Sequence, residues 1–203
     1  MEKADKRKIV LIGTGMVGMS YAYALLNQNL CDELVLIDIN KKRAEGEAMD
    51  LNHGVAFSGG NMEIYAGEYT DCCNADLVVL TAGLPQKEGQ NRLDLLKENR
   101  KIFETILQSV LENGFHGIFL VATNPVDIMT RIVYEISDFP PEKVIGTGTA
   151  LDTARLRYLL GEKFMIDPRN MHAYVMGEQE IANLFRGARR MMTTKPIFDL
   201  CGE

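Results

Sequence analysis

The sequence has no run of about 18 apolar residues, so it predicts no membrane-spanning helix. Its four cysteines form no C-x-x-C pair and have no histidine at metal-ligand spacing, so we expect reduced thiols and no metal site. The first eight residues are charged and precede no apolar segment with a cleavage site, which argues against a signal peptide. These absences favour a soluble cytoplasmic protein with no membrane partner.

The sequence also has no excess of positive charge. It contains 22 lysines and arginines against 28 aspartates and glutamates, a net charge of −6, so we expect no nucleic-acid partner. A hydrophobic content of 46% and a charged content of 25% are ordinary for a globular chain. Its 203 residues suit one domain, or one domain and part of a second.

Short apolar runs alternate with helical patterns along most of the chain. Strands are predicted at 8–12, 33–39, 62–65, 77–81, 117–122 and 143–146. Helices are predicted at 16–28, 41–52, 93–113, 126–136 and 150–160, the last closed by Gly161. Such alternation is typical of βαβ units, so the fold class is α/β, with a Rossmann-type, doubly wound parallel sheet. After Gln179 the periodicity fades, and no strong element is predicted.

A glycine-rich loop, G-T-G-M-V-G, follows the first strand and opens the first helix. Gly13 permits a tight turn, Gly15 lets the backbone approach a pyrophosphate, and Gly18 lets helix and strand pack closely. Alone, this pattern is as often a structural turn as a cofactor loop. Asp38 lies at the end of the next strand, where an acidic residue binds the ribose hydroxyls of NAD and disfavours the extra phosphate of NADP. The combination predicts dinucleotide binding, with NAD favoured over NADP.

Three polar stretches follow later strands or open a later helix, at 83–92, 123–127 and 151–157. Ligands of open α/β sheets bind at the carboxyl ends of the strands. Taken singly, each stretch could equally be a solvated loop, a turn or a helix cap.

In chain order, the motifs GTGMVG, LVLID, TAGLPQKEGQNRLDL, VATNPVD, GTGTALDTARLR and HAYVMGE resemble the L-lactate/malate dehydrogenase family. The resemblance covers nearly all of residues 8–178 and is greatest to bacterial L-lactate dehydrogenases. It implies NAD-dependent interconversion of L-lactate and pyruvate, in glycolysis and fermentation, by a homo-oligomer. It also implies an NAD-binding Rossmann domain at 1–146 and only the start of the catalytic domain at 147–179, followed by a non-family tail at 180–203.

The resemblance also assigns substrate contacts. Arg92 would polarise the substrate carbonyl, and Arg155 would hold the substrate carboxylate through its planar fork. Asp152 would orient the catalytic histidine, and Asn124 would hydrogen-bond the substrate oxygen, with Asp127 in the same motif. Gln86 stands where malate dehydrogenases have arginine. Because a second substrate carboxylate needs a cation there, Gln86 favours lactate over malate.

Cofactor contacts implied by the resemblance, besides the glycines of the loop and Asp38, are Val17, Arg43, Tyr69, Gly83, Leu84, Thr105, Ala122, Thr123, Asn124 and Thr147. Arg43 could equally be a solvated helix-face arginine. Arg157 and His172 match positions that bind fructose 1,6-bisphosphate in allosteric bacterial enzymes. A histidine that is merely satisfied within a strand is the alternative for His172.

The sequence departs from the family at Gln179, which stands where the proton-transferring histidine belongs. An amide has no pKa near neutrality, so this change should slow the reaction by about 10²–10⁴. We therefore keep two hypotheses: an L-lactate dehydrogenase by descent, and a catalytically inactive NAD-binding fragment. Malate dehydrogenase is a third, disfavoured by Gln86.

The tail suggests a frameshift. Deleting one base from the histidine codon turns CAY-GGA-GAY into CAG-GAG-AY, which begins Gln-Glu and then permits Ile. The other frame across 179–191 permits H-G-D-S-E-F-V-P-W-S-T-A-N, a continuation that resembles lactate dehydrogenases. If this hypothesis holds, residues after Gln179 were not selected to fold, and the family's remaining sheet and C-terminal helix would be missing.

Overall fold

The structure is a computed structural model that describes residues 6–84, 92–177, 191–192 and 195–196; for residues 92–94 and the last four it describes the backbone alone. The chain divides into two compact units, Met1–Gly146 and Thr147–Glu203. No described helix is long and apolar enough to span a bilayer.

The first unit is built on a six-stranded parallel sheet. Its strands are β1 (Lys8–Ile12), β2 (Glu33–Ile37), β3 (Glu63–Ala66), β4 (Leu77–Leu80), β5 (Ile118–Val121) and β6 (Val144–Gly146). Their order across the sheet is β3-β2-β1-β4-β5-β6, and every neighbouring pair is parallel. The order therefore reverses between β1 and β4, and this reversal marks the position where open α/β sheets bind ligands.

Four helices cover the sheet: α1 (Met16–Gln28), α2 (Lys41–Val55), α3 (Arg92–Glu112) and α4 (Val126–Ser137), with a 3-10 helix at Tyr69–Asn74. Side chains of β1 alternate between two cores, as the two-residue period of a strand requires. Ile9 and Leu11 pack with α1 and α2, whereas Val10 and Ile12 pack with α3 and α4. Helices on both faces make this a doubly wound sheet, as predicted.

The second unit contains α5 (Ala150–Phe164) and β7 (Met171–His172). Its described core is small: Met171 and Ala173 are buried, and partly buried apolar side chains of α5 pack against them. Two further strands, β8 (Met191–Met192) and β9 (Lys195–Pro196), continue an antiparallel sheet from β7. The tail thus contains short strands where no strong element was predicted.

Three predicted ends were wrong by two or more residues. One is the end of α2, which was predicted at 52 and lies at Val55. The second strand was extended to 39, but β2 ends at Ile37 because Asp38 turns its carboxylate to the backbone of Thr14 and Asn40. The last helix does not end at Gly161 but continues to Phe164. A Cβ on Gly161 would lie 2.8 Å from the carbonyl oxygen of Ile166 and 2.9 Å from the Pro168 ring. This glycine, within the helix, therefore lets the segment that follows α5 pack closely against it.

Candidate cofactor and substrate site

The glycine loop lies between the carboxyl end of β1 and α1. Gly13 has a φ of +104°, and a Cβ there would lie 2.5 Å from the backbone nitrogen of Ala82, so the loop rests directly on the end of β4. A Cβ on Gly18 would lie 2.0 Å from the Gly13 carbonyl oxygen. The two outer glycines therefore permit the tight turn and the close approach of helix to strand.

Gly15, in contrast, faces open space. No described atom lies within 4 Å of a Cβ built there, and Gly15 is the N-cap of α1 without any side-chain capping bond. The first N–H groups of a helix carry a partial positive charge and need acceptors. An open backbone surface at an uncapped helix N-terminus fits a pyrophosphate, which supplies both negative charge and acceptors.

Asp38 lies at the carboxyl end of β2, beside this loop. Its Oδ2 accepts the Thr14 N–H at 2.7 Å and the Thr14 hydroxyl at 2.9 Å, and its Oδ1 accepts the Asn40 N–H at 2.9 Å. Burial raises the pKa of this carboxyl, but these hydrogen bonds and the charge of Arg43 outweigh burial and hold the pKa below its ordinary value. An ionised carboxylate at this position accepts sugar hydroxyls and repels a phosphate.

Side-chain hydrogen bonds also hold the loops that follow β4 and β5. The Thr81 hydroxyl donates to the Gly13 carbonyl at 2.7 Å, and the Thr123 hydroxyl donates to the Ala82 carbonyl at 2.8 Å. The Leu84 N–H donates to Oδ1 of Asn99 at 2.8 Å, and Asn99 is only 1% exposed. These bonds fix the backbone around the reversal in strand order.

Most predicted cofactor residues lie at this edge of the sheet. The residues that follow β1, β2, β4 and β5 are Gly13, Gly15, Val17, Gly18, Asp38, Gly83, Leu84, Ala122, Thr123 and Asn124. Tyr69 opens the 3-10 helix after β3, and burial raises the pKa of its phenol. Thr105 lies within α3, where its hydroxyl donates to the Lys101 carbonyl. Arg43, on the first turn of α2, lies 3.7 Å from Glu47.

Three residues of this arrangement were missed in the sequence: Thr14, Thr81 and Asn99. Asn99 could have been found, because it occupies a core position of the α3 periodicity, one turn before the fully buried Phe103. The two threonines carry no comparable pattern, since their hydroxyls reach partners 24 and 68 residues away in the sequence.

In the second unit, two predicted substrate residues lie one turn apart on α5. Nη1 of Arg155 donates to Oδ1 of Asp152 at 3.3 Å; the Arg155 side chain is 65% exposed and that of Asp152 only 16%. Oδ2 of Asp152 is buried and has no hydrogen-bond partner among the described residues. A buried carboxylate oxygen without a donor is costly, so this atom fits a donor that the described part of the chain does not supply.

The predicted allosteric pair lies near the same helix. Nε of Arg157 donates to the Ala173 carbonyl at 3.0 Å, and the guanidinium lies 4.6 Å from the centroid of the Tyr174 ring. His172 is exposed in β7.

Thr147, a predicted cofactor contact, precedes α5 and accepts the Ala150 N–H through its carbonyl. Asn124 and Asp127, at the start of α4, belong to the first unit.

Some predicted site residues lie outside the described residues. Gln86 and Gln179 are among them, and Arg92 is described only as the first backbone position of α3.

Comparison with known proteins places this arrangement in a family. Curated relatives include L-lactate dehydrogenase 2 of Bacillus cereus and L-lactate dehydrogenase 1 of Bacillus anthracis. Each is 56% identical over 176 residues, which are 87% of this chain and 56% of the relative. The chain therefore spans little more than half the length of these relatives.

Solved structures of lactate dehydrogenases are also similar to this chain. A minor L-lactate dehydrogenase from Enterococcus mundtii, in a ligand-bound form, has a TM-score of 0.84 and 50% identity, over 86% of this chain and 55% of that one. A lactate dehydrogenase from a Medee basin deep-sea metagenome has a TM-score of 0.89 and 49% identity, over 97% of this chain and 62% of that one.

A family model provides the assignment. Residues 7–146 match the NAD-binding domain of lactate/malate dehydrogenases, which is the whole sheet described above with its glycine loop and Asp38. The chain belongs to the lactate/malate dehydrogenase family, and its first unit is that family's NAD-binding domain.

Proposed function

We propose that this chain is the NAD-binding domain and the first segment of the substrate domain of an L-lactate dehydrogenase, which interconverts L-lactate and pyruvate. The observation that carries the proposal is the 56% identity to proteins named L-lactate dehydrogenase over 87% of the chain. We assign residues 1–146 to the cofactor domain, 147–179 to the substrate domain and 180–203 to a tail unlike the family.

When bound, NAD supplies the site at which a hydride is accepted or released. The chain's own residues bind and orient it. The open backbone at Gly15 and the N-terminus of α1 would hold the pyrophosphate, and Asp38 would accept a hydroxyl of the adenosine ribose. The other cofactor contacts proposed from the family resemblance are Val17, Arg43, Tyr69, Gly83, Leu84, Thr105, Ala122, Thr123, Asn124 and Thr147.

The substrate residues are proposed from the family resemblance. The exposed guanidinium of Arg155 would hold the carboxylate of pyruvate or lactate in a bidentate pair. Arg92 and Asn124 would polarise the carbonyl oxygen that is reduced, with Asp127 in the same motif as Asn124. Gln86 offers no cation to a second carboxylate, so pyruvate should be preferred to oxaloacetate.

The proton is the difficult step. In the family a histidine exchanges a proton with the substrate oxygen. Oδ2 of Asp152, which has no hydrogen-bond partner within the described part of the chain, is a suitable acceptor for the N–H of such a ring. Gln179 replaces that histidine and cannot exchange a proton near neutral pH. We therefore propose that this chain binds NAD but turns over slowly, and that Gln179 and the tail arise from a frameshift.

Steady-state assays separate these functions. We expect pyruvate-dependent NADH oxidation to be about 10²–10⁴ slower than in a family member with the histidine, and slower still with oxaloacetate. Robust turnover with pyruvate would refute the proposal that Gln179 slows the reaction. A preference for oxaloacetate would refute the proposal that pyruvate is the substrate. Resequencing the gene across codons 179–191 tests the frameshift, which an intact CAR codon without a family-like alternative frame would exclude.

Two further properties are proposed from the family alone. Arg157 and His172 would bind fructose 1,6-bisphosphate, which predicts that this sugar bisphosphate stabilises the chain against heat. Self-association is the second property, because the family resemblance implies a homo-oligomer. Light scattering measures the oligomeric state directly.

A further inference from the structure

Thr14, between the first two glycines of the loop, is completely buried. Its N–H and its hydroxyl both donate to the same atom, Oδ2 of Asp38, at 2.7 Å and 2.9 Å. A buried hydroxyl that donates to an ionised carboxylate forms a charge-assisted hydrogen bond, which is stronger than a neutral one. Thr14 therefore ties the glycine loop to the acidic residue at the end of β2.

The bonds to Asp38 limit what else this carboxylate can accept. An ionised carboxylate has about four lone-pair positions, two on each oxygen. Thr14 uses both positions on Oδ2, and the Asn40 N–H uses one on Oδ1. One position on Oδ1 remains for an incoming hydroxyl.

We propose that Thr14 is a specificity-determining positioning residue: its buried hydroxyl holds the Asp38 carboxylate in one orientation, so that Oδ1 accepts a ribose hydroxyl of NAD and the fixed negative charge rejects the ribose phosphate of NADP. The inference rests on NAD binding by this domain and deepens it. Without the hydroxyl, Asp38 would keep only the backbone donor on Oδ2 and could rotate away from a phosphate. Thr14 would act on the cofactor only through Asp38.

The variant that tests this is Thr14→Val, which keeps the shape of the side chain and removes the hydroxyl. We expect its NADH dissociation constant to rise about tenfold, the effect of losing one charge-assisted hydrogen bond. The preference for NADH over NADPH should fall by a similar factor. Thr14→Ser keeps the hydroxyl and should remain within about threefold of the wild type in both quantities.

Thr130→Val is the matched control, because the Thr130 hydroxyl donates to the Val126 carbonyl within α4 and should not affect the cofactor. Adding Thr14→Val to an Asp38→Asn variant tests whether Thr14 acts through the Asp38 carboxylate. In that background, where the carboxylate charge is already gone, Thr14→Val should change NADH affinity little. If Thr14→Val does not fold in urea titrations, Thr14→Ala takes its place.

A pH series distinguishes positioning from general disturbance of the loop. Within the described ranges, the charged and titratable groups that interact with Asp38 are Arg43 on α2 and Tyr69 on the 3-10 helix. Because the Thr14 bonds help to keep the pKa of Asp38 low, NADH binding by Thr14→Val should be lost at a higher pH than in the wild type as the solution is acidified. A folded Thr14→Val with wild-type NADH affinity, preference and pH profile would overturn the inference. Absence of NADH binding by the wild-type chain would instead overturn the proposed cofactor function.

Discussion

Arg155 and Asp152 form a hydrogen-bonded ion pair of 3.3 Å on α5, but this pair engages only one of the two Asp152 carboxylate oxygens. The other oxygen, Oδ2, is buried and has no partner among the described residues. We propose, from the family resemblance, that the imidazole N–H of a histidine at position 179 would donate to this oxygen, and that the Asp152 carboxylate would stabilise the protonated ring. The proposal links Asp152 in the second unit to Gln179, the first position at which the sequence departs from its family.

Restoring the histidine tests that connection. We expect Gln179→His to increase pyruvate-dependent NADH oxidation, because it supplies a group that exchanges protons near neutral pH. Because the proposed frameshift also changes the tail, the increase should be only part of the factor of about 10²–10⁴. NMR titration gives a second readout: the Asp152 carboxylate should raise the pKa of the introduced imidazole above its ordinary value. Gln179→Asn is the control for a changed side chain without a titrating group.

Adding Asp152→Asn to Gln179→His should return the imidazole pKa to its ordinary value and remove most of the gain in rate. An imidazole pKa that is the same with and without the Asp152 carboxylate would show that the two side chains do not meet.

Alanine substitutions at Gly15 and Gly18 should have different effects on stability, because Gly15 lies in open space and Gly18 is crowded. Gly15→Ala should fold normally, because a Cβ there meets no described atom within 4 Å, but should weaken NADH binding about tenfold or more by obstructing the pyrophosphate. Gly18→Ala should lose about 1–3 kcal/mol of unfolding free energy as well, because its Cβ would lie 2.0 Å from the Gly13 carbonyl oxygen.

Gly46→Ala, in an open position within α2, is the control; it should bind NADH normally and gain about 0.5–1 kcal/mol of stability. Fluorescence titration and urea unfolding measure the two effects separately. Undiminished NADH affinity in Gly15→Ala would contradict the placement of the pyrophosphate.

The order of strands and helices could be predicted, and most of their ends to within one residue, because short apolar runs such as β1 alternate with longer segments such as α1. The side-chain bonds that hold the site could not. Thr14 and Thr81 contact residues distant in the sequence, and a hydroxyl in a loop looks the same whether it meets water or a carboxylate. The end of α5 was predicted wrongly at Gly161 for a related reason. In the sequence, a glycine that ends a helix looks the same as a glycine that lets a later segment of the chain pack closely against the helix.

A buried polar cluster at β1 predicts a large stability effect away from the cofactor. Nζ of Lys8 lies 3.0 Å from Glu33 and 3.6 Å from Asp71. The Tyr65 hydroxyl lies 2.7 Å from Oε1 of Glu33 and 3.1 Å from Oδ1 of Asp71, and its one proton is shared between these two acceptors. Lys8→Met should cost about 3–5 kcal/mol, because two carboxylates would lose their cation in a site where the Lys8 side chain is 6% exposed. Lys6→Met, which breaks an exposed pair with Glu63, is the control and should have little effect.

Acid should reduce the difference in unfolding free energy between the wild type and Lys8→Met. Burial raises the pKa of Glu33, but hydrogen bonds from Tyr65 and Lys8 and the charge of Lys8 outweigh it and lower the pKa below 4.5. A carboxylate with a lowered pKa stabilises the fold above its unfolded pKa and loses this contribution as pH falls through the folded value. Urea unfolding from pH 7 to pH 3 should show Lys8→Met approaching the wild type only below about pH 4.5. A constant difference would contradict the role of Glu33.

The cysteines should differ in reactivity. Burial raises the pKa of Cys31 to about 11 and of Cys72 to about 12, so neither is a thiolate at neutral pH, whereas Cys73 is exposed. Alkylation at pH 8 followed by peptide mass spectrometry should label Cys73 quickly and the two buried thiols only after urea is added. Rapid labelling of Cys72 in the folded chain would be inconsistent with the core between the sheet and α3.

Titration of the purified chain with NADH, followed by fluorescence, tests the central claim most directly, since the proposed dehydrogenase function and the role of Thr14 both depend on cofactor binding by the first unit. The structure and family predict saturable one-to-one binding of NADH, much weaker binding of NADPH, and loss of affinity in Gly15→Ala with no loss of stability. A folded wild-type chain that gave no saturable NADH signal, or that bound NADPH equally well, would contradict it.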